Sequence, residues 1–446
     1  MSPPSGRLPG VPVDRERVVA LDKRRVWHPY TEMQAYRERV DPLMVVEASG
    51  SRLIDADGRS YLDANASWWT CTLGHRHPRL VRALEEQARR LPHAALAGIA
   101  HENASFLAEA LCAVAPAGLE HVFYSDNGST AVEVAMKLAL QYWAQNGRPE
   151  RRCFAALEGA FHGETLGVTA LGGVEVFRAP FAGVLLDAVH VAPPRESGDT
   201  PRAIEELSRV IEGRSAELAA LVVEPVVQGA AGMQIYDPAF LRAARELCTA
   251  HDVFLIFDEV FTGYGRTGPM WAAEHAAVAP DMLCIAKGIT GGMLPLGATL
   301  TNERVFAGFL GGAERAFYYG HTFCGNPLGT AVAREVLRVF EDEQVLARAK
   351  PKAARIAAAF ESMASLPGVE GVRAIGMIGA LELGSGDYLT RSGWRVYDEA
   401  RARGAYLRPL GNVVYVAPSL VIPDDDLDEL LGIVRASVEA AVGGSR

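Results

Sequence analysis

The chain has 446 residues, 49% hydrophobic and 22% charged, with 44 basic against 54 acidic side chains and a formal net charge of −10. With a mean hydropathy of +0.07, this composition excludes a fibre, a disordered tail protein and a disulfide mini-scaffold. The acidic balance argues against a nucleic-acid surface, which needs a concentrated basic field.

In chain order, the Pro/Gly-rich residues 1–14 read as a mobile tail and lack the apolar stretch of a signal peptide. SRLIDADGRSYLDA (51–64) alternates around Asp57-Gly58 and predicts a hairpin. From about 79 to 334, short apolar strands alternate with amphipathic helices. HVFYS (121–125) precedes a helix starting near Ser129, and LAALVVEP (218–225) precedes one over about 238–251. FLIFDEV (254–260) and MLCIAKG (282–288) follow, so the expected fold class is α/β with a mostly parallel sheet. Past about 335 the pattern predicts one long helix (331–364), then VRAIGMIGALEL (372–383) and a terminal helix, as in a smaller α+β unit. No run approaches the roughly 18 apolar residues of a membrane span. The six cysteines include no CxxC pair, which suggests buried thiols in a reducing cytoplasm.

Chemistry in an open α/β sheet collects where its strands end. After HVFYS, Asp126-Asn127-Gly128-Ser129-Thr130 opens a helix. Its free N–H groups and dipole suit a phosphate, although Asn and Ser are also ordinary caps there. After FLIF stands Asp258, an acid costly to bury without a partner. After MLCIA stands Lys287, either a desolvated nucleophilic amine or a surface lysine starting a Gly-rich loop. Gly263-Tyr264-Gly265-Arg266-Thr267-Gly268 matches a dinucleotide fingerprint but opens no helix and has its acids in front, so it reads as a structural turn. His75 and His77 have no accompanying cysteine or acid at ligand spacing, so no metal is expected. A phosphate cradle, a strand-end acid and a strand-end lysine together are the set that pyridoxal phosphate requires.

The segments IFDEVFTGYGRTG (256–268), CIAKGITGG (284–292) and GHTFCGNPLG (320–329) resemble the class III aminotransferases of PLP fold type I. WHPYTEM (27–33), ASWW (66–69), SDNGSTAVEVAMKLALQYW (125–143) and LRPLGNVVY (407–415) narrow the resemblance to the branch serving biotin synthesis. It runs from about Trp27 to the C-terminus. It implies transamination of 8-amino-7-oxononanoate to 7,8-diaminononanoate, with S-adenosylmethionine or lysine as amino donor. The alternative is another class III ω-aminotransferase acting on diamines or ω-amino acids. It further implies a large cofactor domain (79–334), and a small domain from 335–446 with a contribution from 15–78. The implied unit is a homodimer with its active site at the interface, acting on small molecules and not on nucleic acid or membrane.

Carried over by position, Lys287 would bind the cofactor covalently and Asp258 would face its ring nitrogen. Gly128 and Ser129 would hold the phosphate, with Thr322 contributed by the partner subunit, and His321 beside it is a further cofactor-binding position. Phe161 and His162 match the aromatic–His–Gly stretch beside the cofactor ring. Tyr30, Trp68, Trp69, Phe161, Lys287, Gly320, Arg408 and Tyr415 match substrate-pocket positions, Arg408 being suited to a carboxylate. Three positions depart from the adenosylmethionine-using pattern: Phe161 stands for a Tyr, Glu164 for an Asp and His321 for a Pro. The His before Thr322 is closer to the lysine-using branch, so the donor stays open.

Overall fold

The computed structural model describes residues 14–195 and 198–443, so all but the last residue of the expected tail lies outside the described residues. Its largest element is a seven-stranded sheet of β1 (Leu119–Ser125), β2 (Cys153–Leu157), β3 (Ala188–Val191), β4 (Leu218–Val223), β5 (Phe254–Asp258), β6 (Met282–Ile285) and β7 (Gly297–Asn302). The spatial order is β1-β7-β6-β5-β4-β2-β3. Only β7 runs against its neighbours; the other pairings are parallel.

The apolar runs behave as their composition requires. Every residue of β2, β4, β5 and β6 is buried, because helices cover both faces of a parallel sheet. Phe254, Leu255, Ile256 and Phe257 are fully buried, each contributing roughly 1.5–3 kcal/mol. The helix Gly128–Gln145 lays Val132, Ala135, Met136, Ala139 and Trp143 into this core, the face that its spacing predicts.

The expected hairpin forms, Arg52–Asp55 pairing antiparallel with Ser60–Asp63. The latter strand also pairs in parallel with Ala405–Tyr406, so the two ends of the chain share one sheet. A second small sheet joins Val369–Ile375, Ile378–Leu383 and Val413–Val416. The single long helix expected over 331–364 is corrected to two, Pro327–Asp342 and Val345–Glu361. Gln344 turns left-handed between them with φ +51°. Residues 341–344 contribute no buried side chain, so no core contact holds the helix straight through that polar run.

Candidate active site

Three neighbouring parallel strands, β6, β5 and β4, deliver Lys287, Asp258 and Glu224 to one edge of the sheet. These residues line a cavity of about 560 Å³, which also takes in Gly128, Ser129, Phe161 and His162. Lys287, Asp258, Gly128 and Ser129, the residues expected from the strand ends and the helix start, thus meet at one sheet edge.

The helix start supplies an anion cradle. Asn127 caps it by accepting from Thr130 N at 3.1 Å, while Thr130 Oγ1 accepts from Asn127 N at 3.0 Å. That capping box leaves the amides of Gly128 and Ser129 to face the cavity, since first-turn N–H groups have no partner within the helix. Glycine is required at 128 because a Cβ there would lie 2.6 Å from Val260 Cγ1. Gly163, at φ +122°, lets the 161–164 loop close on Ser129, where a Cβ would overlap the hydroxyl.

Asp258 is 4% exposed and satisfied on both oxygens. Oδ1 accepts from Val260 N at 3.0 Å, and Oδ2 lies 2.8 Å from His162 Nδ1. Burial works against charging His162, but the hydrogen bond and charge of Asp258 prevail and hold its pKa above the ordinary value. Glu224, absent from the sequence-derived set, accepts from Phe161 N and Gly229 N, each at 3.0 Å. Burial pushes its carboxyl up to about 7. Its signal was an acid directly after the apolar run of β4, the same signal that marks Asp258 on β5.

Lys287 stands two residues beyond β6 at φ +44°. Its Nζ lies 4.4 Å from the centre of the Trp69 ring and 5.9 Å from that of Phe261. Burial against these rings lowers its pKa to about 8, although Asp258 and Glu224 pull the other way. The amine thus loses its proton far more readily than a surface lysine.

The mouth is aromatic. Tyr30 packs edge-on against Trp68 and Phe177, at 5.4 and 5.3 Å between ring centres, and donates its hydroxyl to Glu164. The Arg408 guanidinium lies 4.9 Å from the Trp68 ring centre, and its Nη2 donates to Tyr30 O at 3.4 Å. Among the described residues no carboxylate lies within ion-pair distance of Arg408.

Some expected positions fall elsewhere. Tyr415 does not reach the cavity: it is 1% exposed and sits behind Trp69, 6.2 Å between ring centres. Strand pairing of Val413–Val416 with Ile378–Leu383 fixes it there. Gly320, His321 and Thr322 are exposed on a loop outside this chain's cavity, where His321 Nδ1 bonds Asp126 Oδ2 at 2.5 Å. Phe177 and Tyr388 line the cavity without having been expected; no sequence pattern marks them.

Two free amides, a buried carboxylate and a depressed lysine amine around one cavity fit a group bearing an anion, a basic ring nitrogen and a carbonyl. Pyridoxal phosphate is such a group. Residues 33–438 match the family model Aminotransferase class-III. The chain is 41% identical to the adenosylmethionine-8-amino-7-oxononanoate aminotransferase of Geobacter sulfurreducens, over 97% of this chain and 99% of that one. The crystal structure of the Methanocaldococcus jannaschii enzyme of that name superposes with a TM-score of 0.92 at 33% identity, covering 96% of this chain and 99% of that one. An ω-transaminase from Pseudomonas jessenii in complex with PMP superposes at 0.91 with 26% identity, covering 96% and 100%. The chain belongs to the class III aminotransferases, enzymes that depend on pyridoxal phosphate.

Proposed function

We propose that the protein transfers an amino group to 8-amino-7-oxononanoate in biotin biosynthesis, giving 7,8-diaminononanoate by a ping-pong transamination. The donor is S-adenosylmethionine or lysine. The names of the relatives support the acceptor. The observation that carries it is Arg408, a guanidinium with no carboxylate in ion-pair reach among the described residues, held over Trp68, whose ring lines the apolar cavity. That is the chemistry that grips the carboxylate of an apolar-chain keto acid.

When bound, pyridoxal phosphate supplies an electron sink for charge developing on the substrate carbon. Gly128 and Ser129 would hold its phosphate through their amides. Asp258, fixed by His162 and Val260 N, would hold the proton at its ring nitrogen. Phe161, which lines the cavity, would pack on its ring. Lys287 Nζ would hold its carbonyl end, and the same amine, with its lowered pKa, is the group that would take and return the proton at the amine-bearing carbon. Trp69 and Phe261 keep water from that amine. Tyr30 and Trp68 line the path of the apolar chain.

The working unit in this reading is a homodimer. The exposed loop carrying Gly320, His321 and Thr322, flanked by exposed Tyr318 and Phe323, completes the cavity of the other copy. All six cysteines are free, in keeping with a reducing cytoplasm.

When the pyridoxal-loaded protein is mixed separately with S-adenosylmethionine and with lysine, one of the two donors is expected to convert the protein to its pyridoxamine-phosphate form, followed by absorbance. Subsequent addition of 8-amino-7-oxononanoate reverses the change. Conversion by neither donor, or no reversal, overturns the reading.

A further inference from the structure

Residues 66–69 form a left-handed turn. Ala66, Ser67, Trp68 and Trp69 have φ of 47°, 45°, 62° and 74°, a region that non-glycine residues avoid because Cβ crowds the following carbonyl. The turn closes through Trp69 N to Asn65 O at 2.7 Å and Thr70 N to Ala66 O at 3.0 Å. Four consecutive strained residues persist only where their surroundings over-determine them, and here one carboxylate does so. Asp63 Oδ2 accepts from Ser67 N at 2.7 Å and from Ser67 Oγ at 2.9 Å, while Oδ1 accepts from Asn65 N at 3.2 Å. The same Oδ2 lies 2.8 Å from His75 Nε2.

His75 is itself fixed. Its backbone exchanges hydrogen bonds with Gly50, and its Nδ1 meets Cys71 Sγ at 3.7 Å. Asp63 and Cys71 together keep it charged despite burial, with a pKa raised to about 10. What the turn presents is the wall of the active site: Trp68 faces Arg408, and Trp69 covers Lys287.

We propose that Asp63 and His75 are positioning residues, a buried carboxylate–imidazole clamp that holds the left-handed 66–69 turn so that Trp68 and Trp69 shape the amine-substrate pocket. The clamp acts on the reaction only through the two indoles. Its link to acceptor binding rests on the proposed function, whereas the clamp itself does not.

The test uses the holoenzyme carrying His75→Gln, with Ser67→Ala as a milder variant should the first fold poorly. Hydrogen exchange of the peptide spanning 64–72 reads the clamp without any substrate. Its amides are expected to exchange at least about tenfold faster in His75→Gln while the peptide spanning Gly128–Gln145 keeps its protection. In acceptor kinetics, KM is expected to rise about tenfold with kcat within about threefold, and that rise is absent when His75→Gln is placed on Trp68→Ala. Unchanged exchange in 64–72 overturns the clamp. Faster exchange with effects that add to those of Trp68→Ala overturns the positioning role. Absence of wild-type turnover with the keto acid sinks the proposed function and leaves the exchange result standing.

Discussion

His162 Nδ1 and Asp258 Oδ2 lie 2.8 Å apart, with both side chains withdrawn from water at the floor of the cavity. The pair joins the loop after β2 to the end of β5. His162→Ala therefore removes a donor from a buried carboxylate, a loss worth about 1–3 kcal/mol. A lowered thermal midpoint and weaker pyridoxal phosphate binding are expected, measured by calorimetry and by absorbance titration. Unaltered values for both would show that Val260 N alone secures Asp258.

Lys287→Ala removes the only amine among the cavity-lining residues. Turnover is expected to fall by at least about four orders of magnitude, together with loss of the covalently bound cofactor's absorbance. Retention of either refutes its assignment.

The same lysine predicts a pH effect on the cofactor-free protein. Its folded pKa of about 8 lies below the ordinary 10.5. The folded state therefore binds this proton more weakly than the unfolded chain. The cost is absent above both values, grows as pH falls from 10.5 to 8, and is full below 8. Lys287→Met should raise the thermal midpoint at pH 7, and the advantage should shrink as pH rises towards 10. A constant difference across that range contradicts the depressed pKa.

Arg408→Ala is expected to raise the KM for 8-amino-7-oxononanoate by about 10- to 100-fold with cofactor affinity intact. Arg408→Lys should recover only part, because an ammonium lacks the bidentate fork. Normal acceptor kinetics in Arg408→Ala would assign the carboxylate to another group.

Gly128→Ala places a methyl against Val260 and pushes the first turn out of the cradle. Cofactor affinity should fall while the core keeps its protection from hydrogen exchange. Equal affinity would mean that the phosphate does not sit on this turn.

The proposed shared site can be tested by complementation. Lys287→Ala and Thr322→Arg chains are each expected to be inactive alone. After mixing and subunit exchange, about a quarter of the sites combine an intact Lys287 with an intact Thr322 loop. Activity that stays absent in a mixture shown to exchange subunits rules out a site shared in this way.

The sequence by itself determined the α/β class, the sheet edge and the positions of Asp258, Lys287, Gly128 and Ser129. Each is written locally, as a buried apolar run ending in one chemically distinctive residue, or as a capping pattern at a helix start. Even so, the local signal was read at Asp258 and passed over at Glu224, where it was equally present. The polar run at 341–344 could have warned of the broken helix, but helical periodicity on both sides obscured it. Tertiary structure alone decided the rest. It set His162 on Asp258 across 96 residues, laid Trp69 over Lys287 and withdrew Tyr415 behind that indole. It also brought Asp63, unmarked in the sequence, and His75, noted there only as half of an HxH pair, together beneath the Trp68–Trp69 turn. Burial, charge and ring contacts are sums over segments distant in the chain, and no local pattern contains them.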